Sequence, residues 1–298
     1  MTTLRLSTKA RLLGKSGISV SPIAWGMWRL AGDDVTAARA KVEAALAAGI
    51  TLLDTADIYG CDTPAGFGSA EALFGRVLAE APALREAMVI ATKGGIVLGL
   101  PYDSSAAYLA GALEASLTRM RVEQVDLYQI HRRDLLAHPQ EVAGALEKMV
   151  TSGKVRAVGV SNHSPAELSA LQAFLPMPIV STQPEYSALR TAPIFDGTFD
   201  QAMALDLAVL AWSPLGGGRL ADGSDAVGAL LAAQGARHGT DFSAAALSWI
   251  MAHPARPIPI LGSQSPERIA RSTEAFAVEW SRGEWYAVLE ASLGEKLP

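Results

Sequence analysis

The chain is poor in cysteine: a single residue, Cys61, stands among 298. That excludes an intrachain disulfide and any metal cluster built on paired thiolates. The five histidines show neither HxxxH nor HxH spacing, so no zinc site and no resident metal are expected. No run approaches the roughly 18 consecutive apolar residues that span a bilayer. The opening segment MTTLRLSTKARLLGKSG lacks the apolar stretch of a secretory signal. No membrane association and a reduced, cytoplasmic setting are therefore expected. Basic charge is also scarce, 25 Lys and Arg against 30 Asp and Glu for a net charge of -5, which leaves no electrostatic footprint for nucleic acid.

What is present is apolar residue in quantity, half of the composition, enough for a sizeable core. Short β-type runs alternate with helical stretches from one end to the other. The first run, Ile23–Met27, follows a glycine-bounded turn at Gly14–Gly17 that can join two small leading strands. Seven more runs follow: Thr51–Asp54, Met88–Thr92, Val125–Ile130, Val155–Val160, Ile179–Gln183, Leu207–Trp212 and Ile258–Leu261. Helical segments separate them, among them Asp33–Gly49 with its capping aspartates and one long region across Asp225–Met251. Runs such as VDLYQI and LAVLAW are apolar on both faces, which suits a parallel sheet covered by helices. Eight such units without a linker predict one (β/α)₈ TIM barrel over residues 1–298, with a short N-terminal hairpin and closing C-terminal helices. The rival doubly wound fold would call for GxGxxG after the first strand, where the chain reads AWGMWRLAG.

Chemistry in such barrels gathers where strands end. Those positions carry Asp54 and Tyr59 after the second strand, Lys93 after the third and His131 after the fourth. Ser161 and Asn162 follow the fifth, Gln183 ends the sixth, Trp212 and Ser213 the seventh, and Gly262 and Ser263 the eighth. Each has an ordinary alternative: a capping aspartate, a solvated lysine, a surface histidine, a helix-capping serine. Independent capping does not account for ionisable groups at the same end of three successive strands.

The order of motifs resembles the aldo-keto reductase superfamily, its bacterial oxidoreductase branch in particular. LLDTADIYG followed by GSAEALFGRVL resembles the signature segment, ATKGG carries a lysine, and VDLYQIHRRD, VRAVGVSNHSPAEL, QPEYS and AWSPLGGG follow in sequence. The resemblance implies carbonyl reduction with NADPH, NADH being the alternative. A phenol titrating near pH 10 is a poor acid at neutrality. Tyr59 would thus serve as proton donor, its pKa lowered by Lys93, which Asp54 orients, while His131 polarises the carbonyl. By the same resemblance Ser161, Asn162 and Gln183 hold the nicotinamide carboxamide, and Trp212 stacks on the ring. Ser213, Leu215 and Gly216 line the pyrophosphate, and Ser263, Gln264, Ser265 and Arg268 take the adenosine end.

The C-terminal segment PILGSQSPERIARSTEAF departs from many members, with Gly262 where they carry a lysine toward the 2′-phosphate and Arg271-Ser272 in place of a Glu-Asn pair. Substrate contacts are expected from Trp28, with Trp25 beside it, from Arg132 in the loop through His138, and from Tyr186. The expected partner is a small carbonyl substrate, and the expected state a monomer or weak oligomer. Other functions remain open: a sugar or polyol dehydrogenase running in reverse, a cofactor-binding regulatory subunit on the same fold, or a Schiff-base enzyme using Lys93. Four retained catalytic residue types argue against the regulatory subunit. Schiff-base chemistry leaves Tyr59, Ser161, Asn162 and Gln183 without a role.

Overall fold

In the computed structural model, which describes residues 3–4, 6–222 and 225–298, eight strands close into a parallel barrel. They are β1 (Ala24–Gly26), β2 (Leu52–Asp54), β3 (Val89–Gly94), β4 (Val125–Ile130), β5 (Val155–Ser161), β6 (Ile179–Gln183), β7 (Ala208–Ala211) and β8 (Ile258–Leu261). Each strand pairs with its successor, and β8 returns to β1 with Ile260 opposite Ala24. The helices α1 (Val35–Ala47), α2 (Ser69–Glu80), α3 (Ala106–Met120), α4 (Pro139–Thr151), α5 (Pro165–Gln172) and α6 (Thr198–Leu205) lie between successive strands as expected.

Local chemistry sets the helix ends. The Asp34 side chain accepts from the Ala37 N–H and starts α1, and Ser164 with Glu167 forms a reciprocal capping box on α5. The single helical region expected across 225–251 is two helices, α7 (Ala226–Arg237) and α8 (Phe242–Met251). Gly239 at φ +69° turns the chain between them, and the Asp241 side chain caps the second by accepting from Ser243 and Ala244. After β8 come α9 (Pro266–Arg271) and α10 (Arg282–Leu293), the latter also opened by a capping box, Ser281 with Glu284. Two ribbons that no local pattern announced complete the chain: Thr3–Leu4 pairs with Trp280–Ser281, and Ile96–Val97 with Leu100–Tyr102. Among the described residues no helix is long and apolar enough to cross a membrane.

Two apolar regions are distinct. The larger lies between strands and helices. The smaller unites alternate strand residues, Leu52, Ala91, Leu127, Ala157, Ala208, Leu210 and Ile258, with Leu13, Ile18 and Val20 of the leading hairpin, which fills one end of the barrel. Side chains of a strand alternate faces, so the next inward positions beyond this layer are Asp54 after Leu52, Lys93 after Ala91, Gln129 after Leu127 and Ser161 beyond Ala157. On β6 the pairing shifts by one residue, Val158 facing Ile179 and Gly159 facing Ser181. That irregularity puts Ser181 and Gln183 in phase with Gly159 and Ser161 across the pair. Gly159 is required there, because a Cβ would stand 2.1 Å from the Ser181 hydroxyl.

Candidate active site

The floor of the open barrel end is a buried ion pair. Lys93, with no solvent exposure, donates to Asp54 Oδ2 at 2.6 Å, to the Thr55 carbonyl at 2.7 Å and to the Tyr59 hydroxyl at 3.1 Å. An ammonium has three protons, and all three are used. A buried charge is tolerated only when paired and hydrogen-bonded in this way. The other Asp54 oxygen accepts from Gln183 Nε2 at 3.0 Å and, more weakly, from Gln129 at 3.5 Å. Since Lys93 donates to Tyr59, the phenolic oxygen is an acceptor on that side and its own O–H is free to point elsewhere.

Around Tyr59 the electrostatics differ from the expectation in one respect. Lys93 does pull the phenol's pKa down, but burial outweighs it, and Asp54 adds to burial, so the net direction is upward. The expected lowering is thus corrected: depth in the barrel disfavours the phenolate more than one ammonium favours it. Lys93 itself is held above its ordinary value, burial alone acting to lower it while Asp54 and Tyr59 raise it more. His131 sits edge-on to Tyr59, ring centres 5.9 Å apart. Burial first, then the charges of Lys93 and Arg132, hold its imidazole well below 6.5, so the ring is neutral. Its Nδ1 is buried without a partner. A buried lone pair is cheaper to leave unpaired than a buried N–H, which favours the tautomer with its proton on Nε2.

Beside this group lies a second cluster. Asn162, at a left-handed φ of +55°, donates to the Ser161 hydroxyl and the His131 carbonyl and accepts from Trp212 Nε1 at 2.9 Å. The Ser161 hydroxyl in turn donates to the Gln183 carbonyl. The four residues expected at the nicotinamide are therefore brought together, largely bonded to one another and tying β4, β5, β6 and β7 at one height. Gln183 Nε2 is taken by Asp54 and Gln129, which leaves its side-chain oxygen to accept from a ligand.

The expected cofactor groove continues along the ends of β7 and β8. Ser213 is also left-handed, at φ +55°, and Gly216, Gly217 and Gly218 follow with φ of 60°, 71° and 95°. Leu215 and Gly216 are partly or wholly buried, whereas a Cβ on Gly217 or Gly218 would meet nothing within 4 Å, so the open part of this run lies one residue later than expected. Past β8, Gly262 also faces open space. Gln264 carries an amide whose oxygen and nitrogen are both buried and unpartnered, a donor and an acceptor awaiting a polar ligand. Ser263 accepts from the Ser265 N–H, Ser265 caps α9 by accepting from the Arg268 N–H, and the exposed Arg268 side chain has no carboxylate partner among the described residues. An open glycine cradle, an orphaned amide and a free guanidinium fit a dinucleotide laid across β7 and β8.

Of the expected substrate contacts, Trp28 is half exposed and meets Tyr59 edge-on, ring centres 5.1 Å apart. The Arg132 guanidinium lies over the Trp212 ring at 5.9 Å. Tyr186 is a correction: it has no exposure and is packed between Phe199 and Trp249 in the outer core, so it cannot touch a substrate. Trp25 is buried too, its indole N–H donating to the Ser263 carbonyl, where it braces the β8 loop. Three participants escaped the sequence reading. Gln129 follows from strand alternation, Thr55 contributes only a backbone carbonyl, and Asp57 lies in the signature segment with no residue-type signal to set it apart.

The aldo/keto reductase family matches residues 22–292. A 6-dehydroglucose reductase of Novosphingobium aromaticivorans is 55% identical over 308 aligned positions, covering 100% of both chains. A 6-dehydroglucose reductase of Agrobacterium fabrum is 39% identical over 94% of this chain and 97% of its own. The oxidoreductase YdhF of Escherichia coli is 35% identical over 96% and 98%. Among solved structures, a thermostable aldo-keto reductase, Tm1743, in complex with the inhibitor epalrestat superposes with a TM-score of 0.84 at 24% identity, over 95% of this chain and 99% of that one, and so shares the fold. With a closed parallel barrel, the family match across most of its length and full-length relatives named as reductases, the protein is an enzyme of the aldo/keto reductase family.

Proposed function

We propose that the enzyme reduces aldehydes with NADPH, with sugar aldehydes of the 6-dehydroglucose kind as its substrate class. Enzymes of this family use NADH or NADPH. When bound, such a cofactor supplies the hydride, and the chain's task is the proton and the geometry. The observation that carries the reading is the saturated Lys93 ammonium: by donating to Tyr59 at 3.1 Å it fixes the phenol as an acceptor inward and a donor outward. Tyr59 is the acid, and its raised pKa keeps it protonated until negative charge grows on the carbonyl oxygen. His131, neutral, offers a second donor to that oxygen. Asp54 holds Lys93 charged and in place, and Ser161, Asn162, Gln183 and Trp212 make the seat of the nicotinamide.

The substrate class is supported by two relatives named for 6-dehydroglucose. It is supported as well by Arg132, which has no carboxylate partner among the described residues and so keeps its donors for substrate oxygens. Trp28 adds an aromatic wall. Arg268 and Gln264 are the groups available for the 2′-phosphate end in place of the lysine absent at Gly262. The setting read from the sequence, a cytoplasmic monomer or weak oligomer acting as one unit over residues 1–298, accompanies the proposal.

The test is direct. Purified enzyme with NADPH should turn over 6-dehydroglucose faster, in kcat/KM, than an alkyl aldehyde of equal carbon count. Tyr59→Phe should lower kcat by at least about a thousandfold while leaving NADPH affinity, read by quenching of tryptophan fluorescence, within a factor of about two. Wild-type turnover in Tyr59→Phe would remove the acid assignment. Absence of NADPH binding would remove the cofactor assignment.

A further inference from the structure

On the outer side of the strand wall lies another buried carboxyl. Asp57 precedes Tyr59 by two residues on the same turn and is 1% exposed. Its N–H donates to the Lys93 carbonyl at 2.9 Å, so the backbone pins it to the strand that carries the ammonium. Its side chain serves a different face. Oδ2 accepts from Tyr108 of α3 at 3.4 Å, a long bond that the same hydroxyl shares with the Ile96 carbonyl at 3.3 Å. The adjacent Ile58 N–H also favours the ionised carboxyl, but Oδ1 makes no hydrogen bond of good geometry, and neither does the buried hydroxyl of Tyr128 on the outward face of β4. Gly94 keeps the two groups close: a Cβ there would stand 2.2 Å from the Tyr128 oxygen and 3.3 Å from Asp57 Oδ2.

The charged and titratable groups facing Asp57 come from every neighbouring element. Glu71 of α2 accepts from Thr92 at 2.6 Å and pairs with Arg119 of α3 at 2.7 Å. Tyr108 and Tyr128 are neutral phenols, and Lys93, Asp54 and Tyr59 lie across the strand wall. A cavity of about 300 Å³ lined by Asp57, Phe67, Tyr108, Gly111, Ala115 and Arg119 opens between this group and solvent along α3. A purely structural carboxyl would be fully bonded and kept from a like charge. Asp57 is neither.

We propose that Asp57 is a positioning residue for the proton donor: its charge, exchanged with solvent through the cavity along α3 and not through the substrate pocket, sets how firmly Tyr59 holds its proton. The two side chains share no hydrogen bond, so the influence is through the field of a poorly screened carboxylate. Burial acts most strongly on the Tyr59 pKa, then Lys93 and Asp54; ionised Asp57 adds a smaller upward push, and neutral Asp57 relieves that part. Burial first, then Glu71, lift the Asp57 carboxyl from 3.8 to about 7, with Arg119 opposing, so its charge changes where an enzyme works. Access from behind lets it exchange protons while cofactor and substrate close the front. The inference rests on the reading of Tyr59 as the acid.

The whole enzyme can be labelled with carbon-13 at tyrosine Cζ, and Tyr59→Phe assigns the resonance. In the wild type the Tyr59 signal should step near neutral pH while the phenol stays protonated. kcat for aldehyde reduction should fall roughly three- to tenfold across the same step. Asp57→Asn should remove both the step and the pH dependence. Tyr108→Phe, which takes away a hydrogen bond that favours the Asp57 carboxylate, should keep the step and move it to higher pH. A Tyr59 resonance that ignores pH near neutrality overturns the proposal, as does an Asp57→Asn enzyme slowed equally at every pH. Should Asp57→Asn not fold, an unmoved step in Tyr108→Phe is equally fatal. An active Tyr59→Phe enzyme overturns the acid assignment, and the labelled resonance still decides the coupling.

Discussion

At the scale of single residues, the site is a problem of burying charge. Lys93 and Asp54 satisfy each other, but Asp57 does not have that relief, and its cost should be measurable as stability. Its folded-state pKa lies above the unfolded value, so the folded chain binds the proton more tightly. Between about pH 4 and pH 7 the unfolded chain ionises first, and stability therefore falls as pH rises through that window and levels off above it. Asp57→Asn keeps the shape without the charge. It should unfold later than the wild type in urea, by a margin that grows across the window to on the order of 2–4 kcal/mol at pH 8. A constant margin, or none, would contradict the raised carboxyl. The residue types at this site were legible from the strand ends. The direction of the Tyr59 shift was not, because a charge's effect depends on its depth, and depth is absent from a list of neighbours in sequence.

Between elements, close approach decides more than pattern. Gly75 of α2 stands where a Cβ would come 2.0 Å from the Arg119 carbonyl at the end of α3. That contact sets the distance at which Arg119 meets Glu71 and so shapes the cavity behind Asp57. Gly75→Ala should therefore destabilise the fold by about 2 kcal/mol or more, although alanine is the better helix former by about 1 kcal/mol. A urea midpoint equal to the wild type would show that the two helices do not touch there. The helix start at Asp34 was readable because a cap is chemistry between residues three apart, whereas α5 is capped by Ser164 and not by Ser161. The break between α7 and α8 carried its signals too, in His238-Gly239-Thr240-Asp241, but apolar periodicity continues on both sides and masks it. The β6 irregularity that places Gln183 was out of reach, since register belongs to a pair of strands and not to either one.

Taken whole, the molecule leaves open space at Gly217, Gly218 and Gly262 past β7 and β8, beside an unpartnered amide at Gln264 and an exposed Arg268. A ligand that binds only the folded state raises stability by RT ln(1 + [L]/Kd), about 2.7 kcal/mol at a hundredfold excess over Kd. NADPH at that level should raise Tm by several degrees and should do so at lower concentration than NADH, because Arg268 can pair with the extra phosphate. Equal shifts at equal concentrations would assign no role to the 2′-phosphate. The sequence by itself determined the alternation of strand and helix, the count of eight, and the end of the barrel where the polar residues stand, because period, capping and strand length are local. Only the closed barrel decided that Tyr186 and Trp25 are core, that Gln183 reaches Asp54 across 129 positions of chain, and that Tyr59 holds its proton more firmly than a free phenol. Those outcomes depend on which groups share a dry interior, and closing the sheet on itself is the step that creates one.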